Sequence, residues 1–126
     1  MSVDAPDDLM YTESHEWIET DGDIARIGLT DYAQNLIGDI ISVSLPEDDE
    51  PVVAGDCIAS AESLGRVWEM FSPVNGIVAT VNPDLFEHPE DINLDPYGAW
   101  LVAIKEPQVG VDVMEASEYL DYCAGQ

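Results

Sequence analysis

The chain has 126 residues, 27 of them acidic and 3 basic, which gives a net charge of −24 and a pI near 4.1. That balance excludes nucleic acid and anionic membrane as partners, because both would be repelled. With 46% hydrophobic residues the chain folds as one domain without a disulfide or a metal to staple it.

Two sources account for so much acid: a solvated surface suited to a salt-rich cytoplasm, or a face matched to a basic partner. Cys57 and Cys123 are far apart, and neither has a second Cys or a His at ligand spacing. This argues against a disulfide framework and zinc, and it suits a reducing compartment. No basic, apolar N-terminal segment suggests export and no apolar run approaches ~20 residues, so neither export nor a membrane span is expected. The expected location is the cytoplasm.

Residues 1–9 carry three Asp and a Pro with little to bury, and are read as a loose lead-in to a single domain over 10–126. The β-formers of Met10–Glu19, the Asp21-Gly22 turn signal and the alternating Asp23–Leu29 predict a hairpin. Thr30 stands at an N-cap position and Gly38 at a stop, so a helix of about two turns is expected over Asp31–Ile37. Asp39–Leu45 alternates as a strand, and Pro46–Pro51 is an acidic loop. Val52-Val53, a turn at Ala54-Gly55-Asp56 and a strand Cys57–Glu62 follow.

Ala61–Gly76 predicts a second hairpin, with its turn at Gly65-Arg66 and its return strand from Val67 to Phe71. Ser72–Gly76 reads as a further turn, since Pro73 fixes φ and Asn75-Gly76 supplies φ > 0. Ile77–Val81 is a strand, and Asn82–Pro96 is irregular with one helical turn near Asp84-Leu85-Phe86. Trp100–Lys105 is a last buried strand, and Val111–Cys123 has the spacing of a short amphipathic helix. Many short strands with frequent turns point to a small barrel or sandwich, mainly β, with helices packed at its ends.

Candidates for catalysis are weak. His15 and Glu16 are neighbours in a predicted strand and point to opposite faces, so a structural role is the expectation for His15. His88 lies in a polar loop and is expected to be exposed, without the partners a metal needs. The runs Asp48-Asp49-Glu50 and Glu87–Asp91 lack calcium-loop spacing and read as solvated faces. Trp68, beside a hairpin tip, is either folded back as a plug or exposed for a partner.

A set of motifs in order remains: Tyr11-Thr12-x-x-His15-Glu16-Trp17, Ile27-Gly28-Leu29-Thr30-Asp31-Tyr32-Ala33-Gln34, and Leu36-x-Gly38-Asp39-Ile40. Val43-x-Leu45-Pro46, Glu62-Ser63, Ser72-Pro73-Val74-x-Gly76, Val81-Asn82 and Asn93-x-Asp95-Pro96-Tyr97-Gly98 with Trp100 complete it. Over Tyr11–Cys123 the chain strongly resembles the H protein of the glycine cleavage system. The resemblance implies a barrel-sandwich hybrid of the lipoyl-domain kind, with one short helix after the first hairpin and one at the C-terminus. It also implies a shuttle, in which a lysine at the hairpin tip carries lipoate. The partners so implied are a pyridoxal-phosphate decarboxylase, an aminomethyltransferase, dihydrolipoyl dehydrogenase and lipoate ligase.

Within that resemblance the lysine position falls on Gly65, because the count from Glu62 to Pro73 leaves no room for a gap. Arg66 is one place late, and its guanidinium stays protonated and cannot be acylated as a lysine amine can. The one lysine of the chain, Lys105, lies in the last strand. No lipoate or other cofactor is therefore expected. The family's arm cleft matches Ser14, Glu16 and Glu69. Together with Glu62, Ser63, Arg66 and Trp68 these are the candidate contact residues, Trp68 being expected to fill part of the cleft. The leading reading is a binding or regulatory paralogue with no catalytic site of its own. A carrier seen as a variant without its lysine, and a scaffold for unrelated partners, are the alternatives.

Overall fold

The structure is a computed structural model that describes residues 3–126. Its strands are β1 (Met10–Tyr11), β2 (Glu16–Asp21), β3 (Ile24–Leu29), β4 (Ser42–Ser44), β5 (Pro51–Val52), β6 (Cys57–Ser63), β7 (Arg66–Phe71), β8 (Val74–Val81) and β9 (Val102–Val109). Four helices join them: α1 (Asp31–Ile37), α2 (Asp84–Glu87), α3 (Asp91–Leu94) and α4 (Ala116–Ala124). The strands form two antiparallel sheets, one in the order β1-β2-β3-β9-β8-β5 and one in the order β4-β6-β7. The expected mainly-β sandwich with short helices is the architecture observed.

Strand alternation sorts the side chains into two cores. Ile27 and Leu29 of β3 face the other sheet and pack with Ile104, Val78, Ala61 and Met70. Ala33 and Ile37 of α1 and Leu85 and Ile92 of the one-turn helices close the same core. Between the two inward residues Gly28 faces the other way, and its register partner Trp17 lays its ring over it. A Cβ at Gly28 would lie 2.5 Å from that ring, so the position needs glycine for close approach. Trp17 then joins Leu9, Tyr11, Ala116, Tyr119 and Cys123 in a second cluster under α4.

Local signals held where they were chemically explicit. Thr30 caps α1, its Oγ1 accepting from the Ala33 N–H at 3.2 Å, and Gly38 ends it at φ 82°. Gly22, at φ 62°, opens the two-residue loop of the β2–β3 hairpin.

Elsewhere long-range contacts changed the outcome. The run expected as one strand over Met10–Glu19 folds back on itself at residues 12–15, so that Tyr11 pairs with Trp17. His15 takes φ 72° in that turn. The strand expected over Asp39–Leu45 shortens to Ser42–Ser44, because the Asn93 side chain takes the Ile40 N–H at 2.9 Å and donates to the Gly38 carbonyl at 2.8 Å. Residues 82–96 hold two helical turns, since Leu85 and Ile92 both reach the core. The last helix starts only at Ala116, because Met114 is bridged to Tyr11 by two backbone bonds of 2.9 and 2.7 Å. The lead-in is pinned over its described part: Leu9 is buried, the Tyr11 hydroxyl donates to the Pro6 carbonyl at 2.6 Å, and the Asp4 N–H donates to Asp31 at 2.9 Å.

Asn75-Gly76 is not a turn but part of β8, beside a register shift between Asn75 and Ile77. Only Ser72-Pro73 separates β7 from β8, and the chain crosses there from one sheet to the other. Ser72, buried, holds the crossover by donating to the Val74 carbonyl at 2.7 Å and accepting from the Val74 N–H at 3.2 Å. No helix of the described residues is long and apolar enough to cross a membrane.

Candidate functional site

The β6–β7 hairpin forms the exposed tip on which the sequence focuses. Its loop is Leu64-Gly65, closed by the pair Ser63↔Arg66, so the turn lies one residue earlier than Gly65-Arg66. Gly65 has φ 73°, a conformation favouring glycine, and a Cβ built on it would meet nothing within 4 Å. Leu64 is 83% exposed and Val67 64% exposed, whereas Ser63 is buried. Arg66 is the first residue of β7 and is exposed. Lys105 lies in the other sheet, where it pairs in register with Ile24 and Ile77 and reaches Asp49 at 3.1 Å.

The other candidates separate into two groups. Ser14 and Glu16 stand together in the 12–16 turn. Glu16 Oε1 accepts from Ser14 Oγ at 2.6 Å and Thr12 Oγ1 at 2.7 Å, and Oε2 faces the Phe71 N–H at 3.4 Å. Burial raises the Glu16 carboxyl above its ordinary value, while the two hydroxyls and the amide pull it back. This carboxyl stands at a cleft of about 510 Å³, lined also by Phe71, Ser72, Val111 and Tyr122. Glu62 and Glu69 belong to the second group, exposed on the outer face of the three-stranded sheet and off that lining.

Trp68 does not plug this cleft. Strand alternation turns it to the inner side of the three-stranded sheet, half-buried against the main core, with its ring 6.4 Å from that of His15. Its Nε1 is buried and has no hydrogen-bond partner. Of the alternatives for this residue, folding back is the one observed, but against His15.

His15 is buried, and burial lowers its imidazole below the ordinary value. Nδ1 lies 2.8 Å from the Tyr119 hydroxyl, and the ring stacks on Tyr32 at 4.4 Å. It does not bond Glu16, so the two share no proton. His88 is exposed and sits 3.3 Å from Glu90. Among the described residues no group of three or more His, Cys, Asp or Glu is placed to hold a metal ion. Sequence reasoning missed Thr12, Phe71 and Tyr119. A hydroxyl four residues before Glu16 was a signal for Thr12, but nothing local marks the other two.

A sequence profile of the glycine cleavage H-protein family matches residues 9–125. A probable glycine cleavage system H protein of Thermoplasma acidophilum is 43% identical over 117 residues, covering 93% of this chain and 94% of that one. A glycine cleavage system H protein of Halothermothrix orenii is 42% identical over 123 residues, covering 95% and 96%. The crystal structure of a glycine cleavage system H protein from Mycobacterium marinum superposes with a TM-score of 0.89 at 35% identity, over 97% of this chain and all of that one. The chain belongs to the glycine cleavage H-protein family.

Proposed function

We propose that this member of the family does not carry lipoate, and acts as a binding or regulatory paralogue that docks on glycine cleavage or lipoate-handling enzymes. The observation that carries the reading is the hairpin tip. Gly65 occupies the loop where the family resemblance puts the lipoyl lysine, and no other lysine stands in for it. Arg66 is adjacent, but its guanidinium is no acyl acceptor at neutral pH. The tip therefore offers contact area, in Leu64, Arg66 and Val67, without a nucleophile.

On this reading the protein has no catalytic site and no cofactor, and works in the cytoplasm beside the pyridoxal-phosphate decarboxylase, the aminomethyltransferase, dihydrolipoyl dehydrogenase or lipoate ligase. The Glu16 carboxyl and the cleft at Ser14 are parts of the family architecture kept without the arm. A second reading, a carrier variant lacking its lysine, is favoured by the open space around Gly65.

The test incubates the native chain and Gly65→Lys with lipoate ligase, ATP and lipoate, and measures intact mass. The native chain is expected to stay unchanged and the variant to gain one lipoyl group. A lipoyl mass on the native chain would overturn the reading. Direct binding to each of the four enzymes is measured in parallel, and binding to none of them favours a scaffold for unrelated partners.

A further inference from the structure

The phase of the β6–β7 ladder leaves part of one sheet edge open. In an antiparallel pair, alternate residues turn their N–H and C=O toward the partner strand and the others turn theirs away. Two observed bonds fix the phase. The Glu62 carbonyl accepts from the Ile41 N–H at 2.8 Å on the β4 side, and the Phe71 N–H faces Glu16 at 3.4 Å on the far side of β7. The pairing runs Ser63↔Arg66, Ala61↔Trp68 and Ala59↔Met70 without a shift. Val67 and Glu69 therefore turn their backbone groups away from β6, along the edge that ends the order β4-β6-β7.

Protein edges are commonly guarded by charged side chains, lysine above all, by proline or by a bulge. Residues 66–69 have no lysine, proline or bulge, and their charges are Arg66 and Glu69. The 12–16 turn bonds the backbone of this strand at Phe71 and sets His15 beside Trp68, while Val67 and Glu69 stay exposed. The side chains beside this edge carry the second observation. Val67 lies across from Glu62 and Ser42, and Glu69 across from Ser60 and Ser44, on one outer face. By strand parity Arg66 belongs to the opposite face with Trp68. The outer face thus offers one apolar side chain between two carboxylates, on a chain of net charge −24. A second copy of the same edge would set Glu69 near Glu69, so like charge opposes self-pairing.

We propose that the Val67–Glu69 edge of β7 accepts an added strand from a partner protein whose docking segment is extended and basic. Main-chain bonds to Val67 and Glu69 would supply the ladder, and alternate lysine or arginine side chains would meet Glu62 and Glu69. This deepens the reading of the hairpin as a contact surface and rests on it.

The probe is a synthetic peptide of alternating lysine and valine, tested beside its glutamate–valine counterpart and a backbone N-methylated lysine–valine peptide at matched salt. The lysine–valine peptide is expected to bind, and to protect the Val67 and Glu69 amides from hydrogen exchange. Val67→Pro removes an outward N–H without touching the β6 ladder, and should weaken binding about five- to tenfold. No binding, equal binding of the N-methylated or acidic peptide, or binding without protection of these amides would overturn the proposal. If Val67→Pro fails to fold, the exchange result on the native chain decides. A lipoyl group found on the native chain would sink the non-carrier reading alone, because mass gain and edge protection are read separately.

Discussion

The Tyr119 hydroxyl lies 2.8 Å from His15 Nδ1 and 2.7 Å from Thr30 Oγ1, and so ties α4 to the first turn and to the cap of α1. All three groups are buried. Removing the hydroxyl leaves the buried His15 Nδ1 without its partner and Thr30 Oγ1 with the Ala33 N–H alone, which costs about 1–3 kcal/mol. Tyr119→Phe is therefore expected to unfold at lower urea with an unchanged slope, as an equilibrium denaturation series would show.

The acid limb of stability should report two groups of opposite sign. Burial lowers the His15 imidazole below its ordinary 6.5, so the unfolded chain binds the extra proton. Its contribution is complete above pH 6.5 and is lost as pH falls through the folded value. Glu16 is raised above its ordinary 4.5, so its contribution is complete below 4.5 and is lost as pH rises through its folded value. Across about pH 4.5 to 7, His15→Asn should make stability rise less steeply with pH, and Glu16→Gln should make it rise more steeply. Asn is chosen because it tolerates the positive φ at this position. Urea midpoints taken across that range check both signs.

Trp68 buries an indole N–H without a partner, and an unmade bond of this kind costs roughly 1–3 kcal/mol. Trp68→Phe loses packing area but removes that donor, so its stability should fall within about 1 kcal/mol of the native chain. Trp68→Ala should cost about 2–3 kcal/mol, toward the low end for an aromatic because the ring is only half-buried. Thermal or urea unfolding of the two variants side by side separates the effects. A large loss in Trp68→Phe would mean that the indole N–H has a partner in solution.

Gly76 makes a packing prediction that its turn-like neighbour Asn75 obscures. A Cβ there would lie 2.8 Å from the Lys105 carbonyl, and closer still to a methyl of Ile104. Backbone cannot yield as a flexible side chain can, so Gly76→Ala should cost about 1–3 kcal/mol. Gly22→Ala, where a Cβ meets nothing within 4 Å, carries only the penalty of φ 62° and serves as the comparison.

The charge predicts a dependence on salt. Against 27 acidic residues the described ion pairs of fixed charge are Arg26–Glu19 and Lys105–Asp49, both at the surface. Self-repulsion among the remaining carboxylates is screened over about 3 Å at 1 M salt but over about 10 Å at 0.1 M. The melting temperature should therefore fall steadily as potassium chloride is lowered between those limits. A flat profile would show that the acid is spaced widely enough not to strain the fold.

How much was legible in the sequence follows from the range of the forces involved. Thr30 and Gly38 delimited α1 because a cap and a left-handed stop are decided within four residues. Asp21-Gly22 placed the first hairpin for the same reason. The break of Met10–Glu19 at His15 was hidden, since its positive φ is held by Tyr119, 104 residues away.

The hairpin tip shows the same division. By itself the sequence determined that Gly65 and no lysine stands near the tip of a hairpin, because residue identity is a local fact. The register that makes the loop Leu64-Gly65 came from the pairing of β6 with β7. Only the tertiary structure decided that Trp68 turns toward His15, that Glu16 stands at an open cleft, and that the β7 edge at Val67 and Glu69 is uncovered. Those outcomes depend on which strand lies beside which, and that is settled when two apolar sheet faces leave water together.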